Sequence, residues 1–434
     1  MAVVLQATAY TQPESAAECV TLVSSRAGAS QEAVYGLLRV EPIASSVEIR
    51  QDEDILRDLP EYYPEALGCA SPEIVVATAG ANWSMARIEV EQVGPTFSLG
   101  DPVPIPSFRA RPLDEVERGG YRWSPTQLIR RMSPDGTKYY EVSSILIEVE
   151  PSEVGLLIPA GHSLTVHSAT SDEFWLAMDG ARERSILWGE PAWSPDSRCL
   201  AFQTARAHSF LVNGGWPPPQ FGDLRAFDLR VWDATTGQTT VVAERGFKED
   251  YSQPGYRGLC RWDPTSERVF FLHNDRDPAV DAGARLRPWL ADLRGGHVGP
   301  ISGSVEAVDD AIWSPSGDSV IVVARIGGER CFAELRVDGS EIRCLWRTPE
   351  FERHGELPGI ADLWAISPDG VWLALWRGRT LHMCDLRPNG QSGPQRVVEL
   401  PRGRRPFQMA WWVFEEPGEA PAETQPVEAQ RAAP

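Results

Sequence analysis

One short unit recurs along this chain and limits what it can fold into: an apolar run, then Ser-Pro-Asp-Gly or a close variant, then a second apolar run. A clear copy is Ala192-Trp193-Ser194-Pro195-Asp196-Ser197 before Cys199-Leu200-Ala201-Phe202. Pro presets φ near about −65°, and the flanking Ser and Asp side chains bond nearby backbone N–H groups, so the unit reads as strand, tight turn, strand. It returns as Ser133-Pro134-Asp135-Gly136, Ser314-Pro315-Ser316-Gly317 and Ser367-Pro368-Asp369-Gly370, and more weakly as Asp263-Pro264-Thr265-Ser266. A sixth copy, Ser71-Pro72-Glu73, has lost the Asp-Gly part.

The residue before each Pro stands at 71, 133, 194, 263, 314 and 367, so the intervals are 62, 61, 69, 51 and 53 residues. Periods of this size mean an array of supersecondary units, and a four-stranded blade of roughly 40 to 50 residues plus insertions suits them. The unit resembles the WD40-like repeat of TolB-type β-propellers and of the propeller domains of prolyl-oligopeptidase-like peptidases. That resemblance covers about residues 60 to 412 and implies an all-β fold, a single closed β-propeller. Seven four-stranded blades are expected, with six or eight as alternatives.

After each marked turn the chain supplies two further strands with a short turn between them, clearest in Leu229–Asp233 and Gln238–Val242. Others pair Phe174–Met178 with Ser185–Trp188, Glu334–Val337 with Ile342–Leu345, and Leu381–Cys384 with Val397–Leu400. Runs at 2–10, 18–24, 34–40 and 46–50 read as strands with no marked turn, whereas Pro406–Val413 reads as a first strand with no second. One blade shared between residues 2–50 and 406–413 closes the ring and removes two open sheet edges. The propeller thus spans 1–414, and residues 415–434, rich in Pro, Ala and Glu, form a disordered tail. The acidic piece 51–65, ending in Tyr62-Tyr63-Pro64, reads as a loop.

With 41 Lys and Arg against 61 Asp and Glu, the formal charge is −20. Nucleic acid or an anionic membrane would be repelled, so neither is an expected partner. The seven cysteines show no C-x-x-C spacing, which disfavours a disulfide framework or zinc site and fits reduced, buried thiols. No signal-peptide core and no apolar run long enough to span a bilayer are present, so a cytoplasmic protein is expected, unlike the periplasmic setting that the TolB resemblance implies.

Strands alternate in direction, so connections between second and third strands and between successive blades emerge on one face. The long segments 51–65, 98–123, 205–224, 244–258, 274–284 and 348–362 all fall there. Two carry the candidate partner-binding residues: Trp216 and Phe221 beside a triple proline, and Tyr251, Tyr256 and Arg257. Aromatic and Arg anchors on stiff loops suit a protein partner. No G-x-S-x-G elbow or phosphate-binding glycine loop occurs, and the peptidase relatives carry their triad on a separate domain. His162 and His167 are five apart and cannot share a strand face, so no metal site is expected, and no cofactor. Trp193, Trp262 and Trp313 recur at one repeat position, where packing between blades explains them. The expectation is a non-catalytic protein-interaction scaffold, such as a subunit of a larger bacterial complex. The alternative is a hydrolase or lyase with acids such as Asp52, Asp54, Asp309 and Asp310 at the channel mouth. Partner identity and oligomeric state are not legible.

Overall fold

In chain order the strands are β1 (Ala17–Ala27), β2 (Glu32–Ile43), β3 (Ser46–Asp52), β4 (Tyr62–Leu67), β5 (Glu73–Thr78), β6 (Met85–Val93), β7 (Thr96–Leu99), β8 (Val103–Pro104), β9 (Ile129–Met132), β10 (Lys138–Glu148), β11 (Leu157–Ser168), β12 (Phe174–Asp179), β13 (Ser185–Leu187), β14 (Ala192–Trp193) and β15 (Cys199–Ala207). They continue as β16 (Leu224–Asp233), β17 (Gln238–Gly246), β18 (Cys260–Trp262), β19 (Arg268–His273), β20 (Arg287–Asp292), β21 (His297–Pro300), β22 (Val305–Trp313), β23 (Ser319–Ile326), β24 (Glu329–Arg336), β25 (Ile342–Arg347), β26 (Trp364–Ile366), β27 (Trp372–Arg377), β28 (Thr380–Asp385), β29 (Gln395–Glu399) and β30 (Arg404–Val413). The computed structural model describes residues 17–27, 32–43, 46–52, 62–67, 73–78, 85–93, 96–104, 129–148, 157–179, 183, 185–207, 224–246, 259–273, 287–301, 305–340, 342–347, 363–387, 395–400, 402 and 404–413.

Among the described residues the strands pair into seven antiparallel sheets, five of four strands and two of five. First strands of neighbouring sheets touch, β18 against both β14 and β22, and β30 against both β26 and β4. They therefore sit at the centre, with the fourth strands at the rim. This is a β-propeller. Its closing sheet runs β3-β2-β1-β30, so the C-terminal strand pairs with the N-terminal ones as expected, Cys19 opposite Trp411 and Val20 opposite Ala410. The run expected at 2–10 lies outside the described residues.

The second strands β19, β23 and β27 are apolar on both faces because sheets cover both sides, the pattern of a strand buried twice, whereas β10 alternates buried Tyr140 and Val142 with half-buried Tyr139, Glu141 and Ser143. In β23, Val320 and Val322 pack with Phe270 and Trp313, while the alternating Ile321 and Val323 pack with Leu373 and Leu375 of the next sheet. Rim strands read differently: in β21 only Gly299 is buried.

The five marked turns among the described residues close in the same way, while Ser71 and Pro72 of the sixth copy lie outside the described residues. The N–H of the fourth residue donates to the first residue's carbonyl, as in Gly136 to Ser133 at 2.8 Å and Gly370 to Ser367 at 2.8 Å. The Ser194 hydroxyl donates to Asp196 Oδ1 at 2.6 Å and accepts from the Cys199 N–H at 2.9 Å. The fourth position is left-handed, with φ of 65° at Gly136 and 60° and 62° at Ser197 and Ser266. Serine tolerates this strained place because its hydroxyl bridges blades: Ser197 Oγ accepts the Asp135 N–H at 2.9 Å, and Ser266 Oγ accepts the Asp196 N–H at 3.0 Å.

Asp263 replaces the turn serine once. Burial alone would raise its carboxyl, but the Thr265 hydroxyl, the Arg268 N–H and guanidinium and the Glu267 N–H outweigh this and hold it below the usual carboxylate range. A lowered folded-state pKa contributes stability above the unfolded value of about 3.9 that is lost as pH falls through the lower folded one. Asp263→Asn should therefore cost about 2 kcal/mol near pH 7, and urea unfolding should show the gap to the parent closing below about pH 4. A gap independent of pH would mean that ionisation is not what stabilises the turn.

Two expectations need correction. Tyr62–Leu67 is β4, the central strand of its sheet, not a loop; Pro64 is admitted because a first strand has one unpaired edge and the register shifts between Pro64 and Ala66. Phe174–Asp179 is a fourth strand, since Leu157–Ser168 takes the third place, and Ser185–Leu187 belongs to the next sheet, paired with Thr204–Arg206. Sheet order also bounds the connections. Those at 105–128, 208–223, 247–259, 274–286 and 348–363 all join strand ends on one face of the ring, opposite the marked turns.

Candidate functional site

Charged and aromatic groups on the central strands join neighbouring sheets. The indole N–H of Trp193 donates to the Arg131 carbonyl at 3.2 Å, that of Trp262 to Ala192 at 2.8 Å and that of Trp313 to Arg261 at 2.9 Å. Each bond runs to the first strand of the preceding sheet, which confirms packing between blades as the reason for the recurring Trp.

Two ion pairs run the same way at matched repeat positions. Arg131, two residues before Ser133, places Nε 2.8 Å from Glu190 Oε1, four residues before Ser194. Arg261, two before Asp263, places Nη2 2.8 Å from Asp310 Oδ1, four before Ser314. A local break aims each acid backwards: the interruption between β13 and β14 at Glu190, and a register shift between Val308 and Asp310 in β22. Buried Tyr140 adds its hydroxyl to the first pair, donating to the Pro191 carbonyl at 3.2 Å; burial, then the Glu190 charge, push its pKa up. Asp310 Oδ2 accepts the Trp364 indole N–H at 2.8 Å, so one carboxylate links three consecutive central strands.

Between these pairs, Ala192 and Leu259 hold the corresponding positions and a buried amide does the joining. Gln203 Nε2 donates to the Leu272 carbonyl at 2.7 Å, and its Oε1 accepts the Leu259 N–H at 2.9 Å.

The other expected acids are placed unevenly. Asp309 Oδ2 lies 2.5 Å from Arg330 Nη2, and burial raises its carboxyl against the pull of Arg330 and Arg325. Asp52 ends β3, a rim strand, and so does not stand at the central channel; Asp54 lies outside the described residues. His162 and His167 are not brought together. His162 Nδ1 accepts the Leu187 N–H at 3.1 Å and burial lowers its pKa, while His167 stacks on Tyr139 at 4.8 Å. Among the described residues no group of three His, Cys, Asp or Glu could hold a metal, none of the six described cysteines forms a disulfide, and no helix is long and apolar enough to cross a membrane.

Trp216, Phe221, Tyr251, Tyr256 and Arg257 lie outside the described residues, in connections 208–223 and 247–259. The matched ion pairs went unread in the sequence, yet the signal was present: aligning the repeats puts Arg131 over Arg261 and Glu190 over Asp310.

No protein-family model and no curated protein matches this chain. Solved structures do. An oligogalacturonate lyase from Vibrio parahaemolyticus shares 12% identity over 88% of this chain and 86% of its own, with a TM-score of 0.45. TolB from Acinetobacter baumannii shares 13% over 76% and 64%, with a TM-score of 0.31. A puromycin-hydrolyzing peptidase from Mycobacterium tuberculosis shares 14% over 88% and 54%, with a TM-score of 0.41, so the chain spans about half the length of that peptidase. These neighbours differ in activity, and the propeller assignment rests on the strand topology itself.

Proposed function

We propose that this chain is a non-catalytic protein-binding propeller that docks a protein partner on its face of long connections. The observation that carries this reading is the one-sidedness of the ring. Connections 105–128, 208–223, 247–259, 274–286 and 348–363 join strand ends on one face, and the marked turns close the other. Long segments on a rigid scaffold are where recognition concentrates. Two of them carry Trp216, Phe221, Tyr251, Tyr256 and Arg257. The reading is favoured over a hydrolase or lyase because Asp310, an acid proposed for that chemistry, has both oxygens committed to neighbouring blades.

The test replaces residues 213–222 with a Gly-Ser linker of equal length and compares proteins retained from native-host extract by quantitative mass spectrometry. Loss of aromatic anchors worth about 2 kcal/mol or more each should cut recovery of the specific partner at least about tenfold. Unchanged recovery of every partner would remove that connection from the docking face.

A further inference from the structure

Fourth strands are the open edges of a propeller, and most of them here are guarded. β3, β17, β25 and β29 carry Glu, Asp or Arg along their length, and β7 and β21 are only four residues long. Charge and shortness both discourage pairing with another chain. The fourth strand of the second sheet, β12, has neither device. Phe174-Trp175-Leu176-Ala177-Met178 is an unbroken apolar run, with Phe174 63% and Leu176 53% exposed.

The backbone is open at the same two residues. The Ser168 N–H donates to the Glu173 carbonyl at 2.9 Å, which sets the alternation of the ladder with β11. Glu173 and Trp175 therefore turn their N–H and C=O groups inward, whereas Phe174 and Leu176 turn theirs to the edge that no described strand pairs. From its other side the strand is held firmly. Trp175 packs on Trp232 with ring centroids 5.8 Å apart and fills the space beside Gly237, and the Ala177 carbonyl accepts the Thr239 hydroxyl of the next sheet at 2.8 Å. A strand already fixed in extended form loses little freedom on pairing.

We infer that β12 is an association edge at which two copies of this chain pair antiparallel about a two-fold axis through Trp175. With Phe174 of each copy opposite Leu176 of the other, both outward-facing residues exchange N–H and C=O bonds and apolar side chains meet. In that register Glu173 falls opposite Ala177 and Asp172 opposite Met178, so no two acids face each other. The registers on either side are worse: one sets Glu173 against Asp179, and the other leaves Leu176 facing Asp172. A self-complementary contact of this kind closes at two copies. This edge lies at the rim, apart from the face of long connections, and does not depend on the protein-binding reading.

The experiment is sedimentation velocity of the full chain under reducing conditions, from about 1 to 200 µM, the range that suits a small interface. A monomer–dimer equilibrium is expected. Each copy carries −20, so dimerisation should strengthen as NaCl rises from about 0.05 to 0.5 M and screens the repulsion. Leu176→Glu, at an exposed position, should raise the dimer Kd at least about tenfold while melting like the parent; if its melting temperature falls, the more exposed Phe174→Glu takes its place. Cys344→Glu puts the same charge at an exposed position of another rim strand, β25, and should leave the Kd unchanged. A dimer that survives both Glu variants of β12, or an equal loss with Cys344→Glu, would overturn the inference. So would a monomer at every concentration and salt, which would leave the edge to a strand of another protein.

Discussion

A chain ended at Gly403 should not form the closed ring. It lacks all of β30, the central strand of the closing sheet, and so leaves the pairing edge of β1 from Ala17 to Ser25 without its ladder. It also loses the buried Trp411, which belongs to the same apolar cluster as Cys19, Val23, Leu38 and Trp376, and the buried Ala410, which lies opposite Val20 in the sheet. Burying a large side chain contributes roughly 1.5 to 3 kcal/mol, and a domain's whole margin is about 5 to 15. Adding the unmade backbone bonds, the deficit takes most of that margin. Size-exclusion chromatography should show aggregation, or calorimetry a melting temperature lower by at least about 10 °C. A chain ended at Phe414 keeps β30 whole and should melt like the parent. Parental melting of the Gly403 chain would mean that the ring does not depend on the terminal strand.

Substituting Gln203 should cost more than breaking either central ion pair. Gln203→Leu keeps nearly the same volume but leaves the Leu259 N–H and the Leu272 carbonyl unpaired in a buried interface. Each orphaned buried group costs about 1 to 3 kcal/mol, so a loss of about 2 to 5 is expected. Arg131→Gln breaks a bond between side chains about half exposed, where water replaces the lost partner, and should cost under about 1 kcal/mol. Urea denaturation of the two variants decides between them. If Arg131→Gln proved the more damaging, the charged pairs rather than the buried amide would be what binds neighbouring blades.

Most of the fold was legible because its signals are local. Turn chemistry at Ser133, Ser194, Asp263, Ser314 and Ser367 needs only a few consecutive residues, and the structure closes every one of them as read. Ring closure was legible from a surplus first strand at one end and surplus later strands at the other. Where the sequence misled, a non-local term decided. Pro64 argues against a strand unless one edge is known to be unpaired, and that depends on which strand lies at the centre. Ser185–Leu187 has the composition of either a rim or a central strand, and only its pairing with Thr204–Arg206 settles which. The matched ion pairs connect residues 59 and 49 apart, and the backbone irregularities that aim Glu190 and Asp310 have no sequence signature of their own.

The closing sheet also sets a timetable for synthesis. β1 is made first among the described strands, but its central partner β30 begins 377 residues after β1 ends, from Ala27 to Arg404. At a ribosomal rate of about 5 to 20 residues per second, that edge waits roughly 20 to 75 s before its own chain can cover it. During that interval the strand holding Cys19, Val20 and Thr21 is a ready template for pairing with another nascent copy. Yield in a cell should therefore respond to translation speed and chaperone supply through this one edge, even where the finished ring is stable.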